Sequence, residues 1–132
     1  MIRFVIPLRV SGPNLREHFM ARKRRVSQER AAVCGCLLVQ CGPDWHRRVQ
    51  LPCVVTLTRF GKRLLDSDNL QGALKAVRDE VARQLGCGDS PKDPIEWIYQ
   101  QRVGEYSVEV LVAKAKVTLP RNVMDPGKSE NG

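Results

Sequence analysis

Four apolar segments with the spacing of strands and two long segments with the spacing of helices alternate along this chain. They predict an α/β or α+β fold: a mixed sheet of about four strands with two main helices, in the order β-α-β-α-β-β. At 132 residues the chain fits a single domain, long enough to bury roughly two thirds of the surface its unfolded form would expose. That domain is expected at residues 1–119, followed by a flexible polar tail at 120–132.

Ile2 to Val10 alternates, includes β-branched positions and reads as a strand, with Pro7 tolerable at an edge or bulge. Ser11-Gly12-Pro13-Asn14 breaks it. From about Leu15 to Val39 the spacing is helical, with an interruption expected near Ala21, and the apolar stretch Ala31 to Leu38 is expected in the core. Cys41-Gly42-Pro43-Asp44 closes that helix as a loop. Leu51 to Phe60 is rich in β-branched residues and reads as a central strand.

The next helix is expected over residues 68–85. Asp68 stands as its N-cap with Gln71 three residues on, Gly86 stops it, and Leu70, Ala73, Leu74, Val77, Val81 and Leu85 mark one apolar face. After the turn-rich loop Cys87 to Pro94, Ile95 to Val103 and Tyr106 to Val117 read as two strands joined at Val103-Gly104-Glu105 as a hairpin.

Lys and Arg number 22 against 14 Asp and Glu, a formal charge of +8, which fits a polyanionic partner such as nucleic acid. No run approaches the roughly 18 apolar residues of a spanning helix, and the N-terminus lacks a signal-peptide pattern, so a cytoplasmic protein without a membrane partner is expected. Five cysteines form no regular framework; Cys34, Cys36 and Cys41 match no familiar zinc spacing and are expected as small buried apolar residues.

The chemistry concentrates in Leu65-Asp66-Ser67-Asp68-Asn69-Leu70, followed by Lys75. Two carboxylates one residue apart, where a strand gives way to a helix, can converge on one hard divalent cation. Asp66 precedes the expected cap and has no helical task, while Lys75 and Asp79 project near the side of Asp68 if the helix is continuous. The plain structural alternative is a capping aspartate, a solvated lysine and an i,i+4 ion pair contributing a few tenths of a kcal/mol. A third carboxylate, Asp89, lies in the following loop, but a helix of that length spans about 27 Å, so it reaches the pair only if the loop folds back or a second chain completes the site.

Magnesium held by such carboxylates can activate water and neutralise charge on a phosphate, and a lysine beside it can stabilise the developing charge. Arg16, Arg22, Lys23, Arg24, Arg25 and Arg30 lie in one segment, which reads as a surface for the phosphate backbone or, more plainly, as a solvated helix face. Lys62 and Arg63 precede the acidic turn directly. Trp97 and Tyr99 alternate on a strand and are expected to pack against a helix, and the isolated His18 and His46 suit no catalytic triad.

The run LDSDNLQGALKAVRDEVARQLG, the acidic loop with Asp-Pro and the segment with Trp97, Tyr99, Gln100 and Gln101 together resemble the RusA-type Holliday junction resolvases, small endonucleases often found on phages and prophages. The resemblance reaches weakly to the N-terminal IPLRV and Asn14 and covers residues 1 to about 115. It implies a homodimeric, magnesium-dependent crossover junction endodeoxyribonuclease, with manganese as a possible substitute, that makes paired nicks in four-way DNA junctions during recombination and repair. On that resemblance the metal ligands are Asp66, Asp68 and Asp89, the essential lysine is Lys75, and the helical aspartate is Asp79. Asn14 and Asn69 join Arg16, Arg22, Lys23, Arg24, Arg25, Lys62 and Arg63 as candidate DNA contacts. Two departures stand out: some relatives place the lysine about one helical turn closer to the Asp-Asn pair, and the loop here has Asp89 and Asp93 instead of adjacent acids. The alternatives are a non-catalytic junction or nucleic-acid-binding protein of the same fold, and a small phosphohydrolase acting on nucleotides.

Overall fold

The computed structural model describes residues 1–10, 18–86 and 94–115. It bears out the mixed class, with a four-stranded sheet packed on helices. Strand β1 is Ile2–Ile6, helix α1 is Phe19–Cys41, a short 3-10 turn covers Trp45–Arg48, and strand β2 is Cys53–Gly61. Helices α2, Ser67–Ala73, and α3, Lys75–Gln84, follow, then strands β3, Ile95–Val103, and β4, Ser107–Lys114.

β1 ends four residues earlier than expected. Pro7 has no N–H to donate, and Leu8 N bonds Ile6 O at 2.8 Å, a tight turn that takes the chain out of the sheet, although Val10 is still buried. α1 runs without an interruption at Ala21. His18 caps it, its Nδ1 accepting from Met20 N at 3.1 Å, and Gly42 stops it at φ 90°, a conformation that suits glycine. Its core stripe is narrower than expected: Val33 and Leu37 are buried, whereas Leu38 is exposed. Beyond the loop, Trp45 is fully buried and donates its indole N–H to Gln84 Oε1 at 2.8 Å.

The helix expected over 68–85 is two helices meeting at Leu74, whose φ of −95° and ψ of 2° leave the helical range. Leu74 N bonds Leu70 O and Arg78 N bonds Leu74 O, so Leu74 closes the last turn of α2 and opens the first turn of α3. Leu70, Ala73, Leu74, Val77 and Val81 are buried against the sheet, where each large aliphatic contributes roughly 1.5–3 kcal/mol.

The strand order is β1-β4-β2-β3. β4 lies antiparallel between β1 and β2, pairing Phe4 with Val110 on one side and Leu57 with Val110 on the other, and β3 runs parallel to β2 with Leu57 opposite Tyr99. β3 and β4 therefore form no hairpin; the link 104–106 passes over the end of β2. Gly104 makes this close passage, its N–H bonding Gly61 O at 2.9 Å while a Cβ there would lie 3.4 Å from the Phe60 ring. One sheet face carries the core through Phe4, Ile6, Val55, Leu57, Val108, Val110 and Val112. The alternate residues, among them Arg3, Thr56, Glu96 and Ile98, lie on the other face and are less buried. Among the described residues no helix is long and apolar enough to cross a membrane.

Candidate active site at the acidic turn

Two side chains, buried Arg59 and half-buried Gln101, set the path from β2 into α2. Arg59, 5% exposed on the core face of β2, donates from Nη1 to Arg63 O at 2.8 Å and from Nε to Val10 O at 3.3 Å. No carboxylate among the described residues pairs with it. Gly61 makes room for this folded-back guanidinium, since a Cβ there would lie 2.6 Å from Arg59 Nη2. Gln101 on β3 then grips the next step: its Nε2 donates to Leu65 O at 2.6 Å and its Oε1 accepts from Leu65 N at 2.8 Å. Sequence reasoning missed both residues as determinants of the turn, and an arginine inside an apolar strand was the signal for one of them.

Asp66 follows immediately, and it caps α2. Its Oδ1 accepts from Asn69 N at 2.9 Å, and its carbonyl accepts from Leu70 N at 2.9 Å. The expected arrangement, with Asp68 as cap and Asp66 idle, is thus shifted by two residues: Asp68 occupies the first turn of the helix, exposed. Both carboxylates sit where the helix presents unpaired N–H groups, a favourable place for negative charge.

Lys75 opens α3 and pairs with Asp79, Nζ to Oδ2, at 2.9 Å. Together with Gln71, Gly72, Arg78 and Tyr99 they line a shallow cleft of about 260 Å³. Arg78 anchors its floor, donating to the Tyr99 hydroxyl at 2.7 Å with its guanidinium 5.0 Å from the Trp97 ring centre, so Trp97 and Tyr99 pack against the helix as expected. Asp66 and Asp68 lie outside this cleft, at the start of α2. The cleft straddles the junction at Leu74, with Gln71 and Gly72 on the α2 side and Lys75, Arg78 and Asp79 on the α3 side.

The basic segment lies near the same end of the helix pair. Arg30 of α1 bonds Glu80 of α3 at 3.2 Å, and Cys34 and Leu38 lie beside Arg83 and Gln84, so the two helices run in parallel. With equal rise per residue, Arg22 to Arg25 fall toward the Lys75 end. Arg22, Lys23 and Arg24 are exposed; Arg25 is half-buried and bonds Glu29 at 3.3 Å. Lys62 is engaged with Glu105 at 2.8 Å, a hydrogen bond that raises the lysine pKa and lowers that of the glutamate, and Arg63 is exposed. Asn69 is exposed beside Asp68. Asn14, Arg16, Asp89, Asp93, the greater part of the loop expected at Cys87 to Pro94, the end of the last expected strand and the expected tail lie outside the described residues.

Among the described residues, no three His, Cys, Asp or Glu side chains converge as a metal site. Asp66 and Asp68 supply two hard oxygen donors of the kind magnesium takes, with one Asp66 oxygen already engaged by Asn69. The four described cysteines are free thiols. Cys34 is exposed, contrary to the expected burial, whereas Cys53 is buried; burial pushes the Cys36 and Cys41 thiols up, with Arg48 opposing the shift at Cys41.

Fold and site together define a small mixed α/β domain with an acidic helix-start beside a lysine cleft and a basic helix end. Searches among known proteins match no family model, no curated protein and no solved structure.

Proposed function

We propose that this protein is a metal-dependent, structure-selective DNA endonuclease that resolves four-way junctions as a homodimer, in recombination and repair. The observation that carries the reading is the held acidic turn: Asp66 and Asp68 sit one residue apart at the start of α2, with the backbone before them gripped by Gln101. Asp66 and Asp68, with Asp89 or Asp93, would hold the cation. A magnesium or manganese ion bound there would supply Lewis-acid polarisation of a phosphate oxygen. Lys75 stabilises negative charge on the phosphate, Asp79 orients it, and exposed Arg22, Lys23 and Arg24 hold the DNA backbone.

The test is cleavage of a labelled four-way junction beside a linear duplex of matched sequence, with and without magnesium, by the protein and by Asp68→Asn. Paired nicks confined to the junction, dependent on magnesium and absent in the variant, support the reading. A second reading, a junction-binding protein that does not cut, draws on the closed Lys75–Asp79 pair. It predicts salt-sensitive junction binding with no nicks under any metal.

A further inference from the structure

The two edges of the sheet are treated differently. On β1 the side-chain amide of Gln40 covers the backbone of Val5, donating to its carbonyl at 2.7 Å and accepting from its N–H at 3.0 Å, and Pro7 ends the strand. β3 has no such cover among the described residues. It is nine residues long, contains no proline or lysine, and pairs on one side with β2. An uninterrupted open edge of that length is a template for a further strand, which monomeric proteins ordinarily block.

The hydrogen bonds fix which groups are open. Pro94 O accepts from Cys53 N, and Gly104 N donates to Gly61 O, both at 2.9 Å, so the even-numbered residues of this stretch turn their backbone groups to β2. Ile95, Trp97, Tyr99, Gln101 and Val103 therefore direct theirs to the open edge. We infer that a second copy of this chain pairs antiparallel along this edge, about a two-fold axis through Tyr99. In that register Tyr99 faces its own counterpart, Trp97 faces Gln101 and Ile95 faces Val103, every one an outward-directed residue meeting another.

The charges select this register from its neighbours. Glu96 lies opposite Arg102 and, by symmetry, Arg102 opposite Glu96, in the narrow non-hydrogen-bonded positions where Cα atoms approach about 4.5 Å. Both residues are exposed, and neither has an ion-pair partner among the described residues. A shift of the axis by one residue, to Ile98 or Gln100, sets Glu96 opposite Gln100 or Gly104 and leaves part of the strand unpaired. The Tyr99 axis uses the whole of β3. It makes one continuous sheet of the two copies, with α2 and α3 of both on the same face and the Lys75 clefts flanking the axis.

The pairing specifies the dimer contact of the proposed enzyme, but it rests on strand geometry and holds whether or not the chain cuts DNA. Light scattering and amide exchange on the intact protein test it independently of any cleavage assay. We expect twice the 14.9 kDa chain mass, with slow exchange at the N–H groups of Trp97, Tyr99 and Gln101. Glu96→Arg or Arg102→Glu sets like charges opposite each other twice and weakens the dimer about tenfold, while the double exchange Glu96→Arg with Arg102→Glu restores it. A monomer at every soluble concentration, fast exchange at those three amides in a dimer, or a dimer indifferent to both single reversals overturns the proposal.

Discussion

Gln101 holds Leu65 by both backbone groups at once, its carboxamide standing in for a strand residue at a place where the chain has left the sheet. The step from Leu65 to Asp66 is thereby tied to β3, an element that begins 29 residues after Asp66 in sequence. Gln101→Leu removes both bonds. We expect a loss of about 1 kcal/mol in urea unfolding and faster amide exchange at Leu65 and Asn69, because the cap at Asp66 loses its fixed approach. If the proposed cleavage operates, turnover falls more than junction affinity; unchanged exchange at Leu65 would show that the turn holds itself.

Lys75 separates catalysis from simple attraction. Lys75→Ala should lower junction turnover on the order of a hundredfold and change affinity little, if the ammonium acts on charge that develops during cleavage. Asp79→Asn frees Lys75 from its 2.9 Å partner and should tighten phosphate binding. Parallel losses of turnover and affinity in the alanine variant would reduce Lys75 to a phosphate-binding group.

The exposed pair Lys23 and Arg24 offers the plainest test of the basic end of α1. Replacing both by alanine should reduce the slope of log affinity against log salt by about 0.9 for each duplex phosphate that the side chains neutralise. The far-UV spectrum should stay the same, since neither side chain forms an ion pair among the described residues. Binding and slope both unaltered would remove α1 from the DNA-binding surface.

Glu80 links stability to pH. Burial pushes its pKa up, but hydrogen bonds from Arg83, Gln84 and Arg30 outweigh that and hold it below the ordinary 4.5. With the folded pKa depressed, the stabilisation is fully present above about 4.5 and is lost as pH falls through the folded value. Glu80, 3% exposed, should cost roughly 1–3 kcal/mol near neutrality as Glu80→Gln, and the gap from the unsubstituted protein should narrow on acidification below pH 4.5. Urea unfolding at several pH values measures it; a constant gap would mean that another group governs acid sensitivity.

The sequence spoke clearly where one pattern had one solution. β3 has the bounds its alternating residues suggest, and the apolar spacing from Leu70 to Val81 marks the buried face across two helices. It misled where two solutions share a pattern. Asp-x-Asp-Asn permits a cap at either aspartate, and the choice at Asp66 follows from the grip on Leu65, which joins distant segments. The break at Leu74 was invisible because Leu74 is itself buried and the apolar spacing runs on across it from Leu70 to Val81. The three-residue link after Val103 looks like a hairpin, but neighbours in sequence need not be neighbours in a sheet, and β2 lies between its strands. Arg59 shows a further gap: burial of a guanidinium on main-chain carbonyls has no periodic signature.

The position of β4 governs the order in which this sheet can be assembled. β1 has no other strand to pair with among the described residues, so the first strand waits for nearly the last: Arg3 and Glu109 are 106 residues apart. β2 and β3 can associate through the shorter segment containing α2 and α3, whereas docking β1 and β4 closes a far longer loop. The acidic turn belongs to the half that can form early, and a nascent chain can shape its candidate chemistry before its N-terminal strand has found a place.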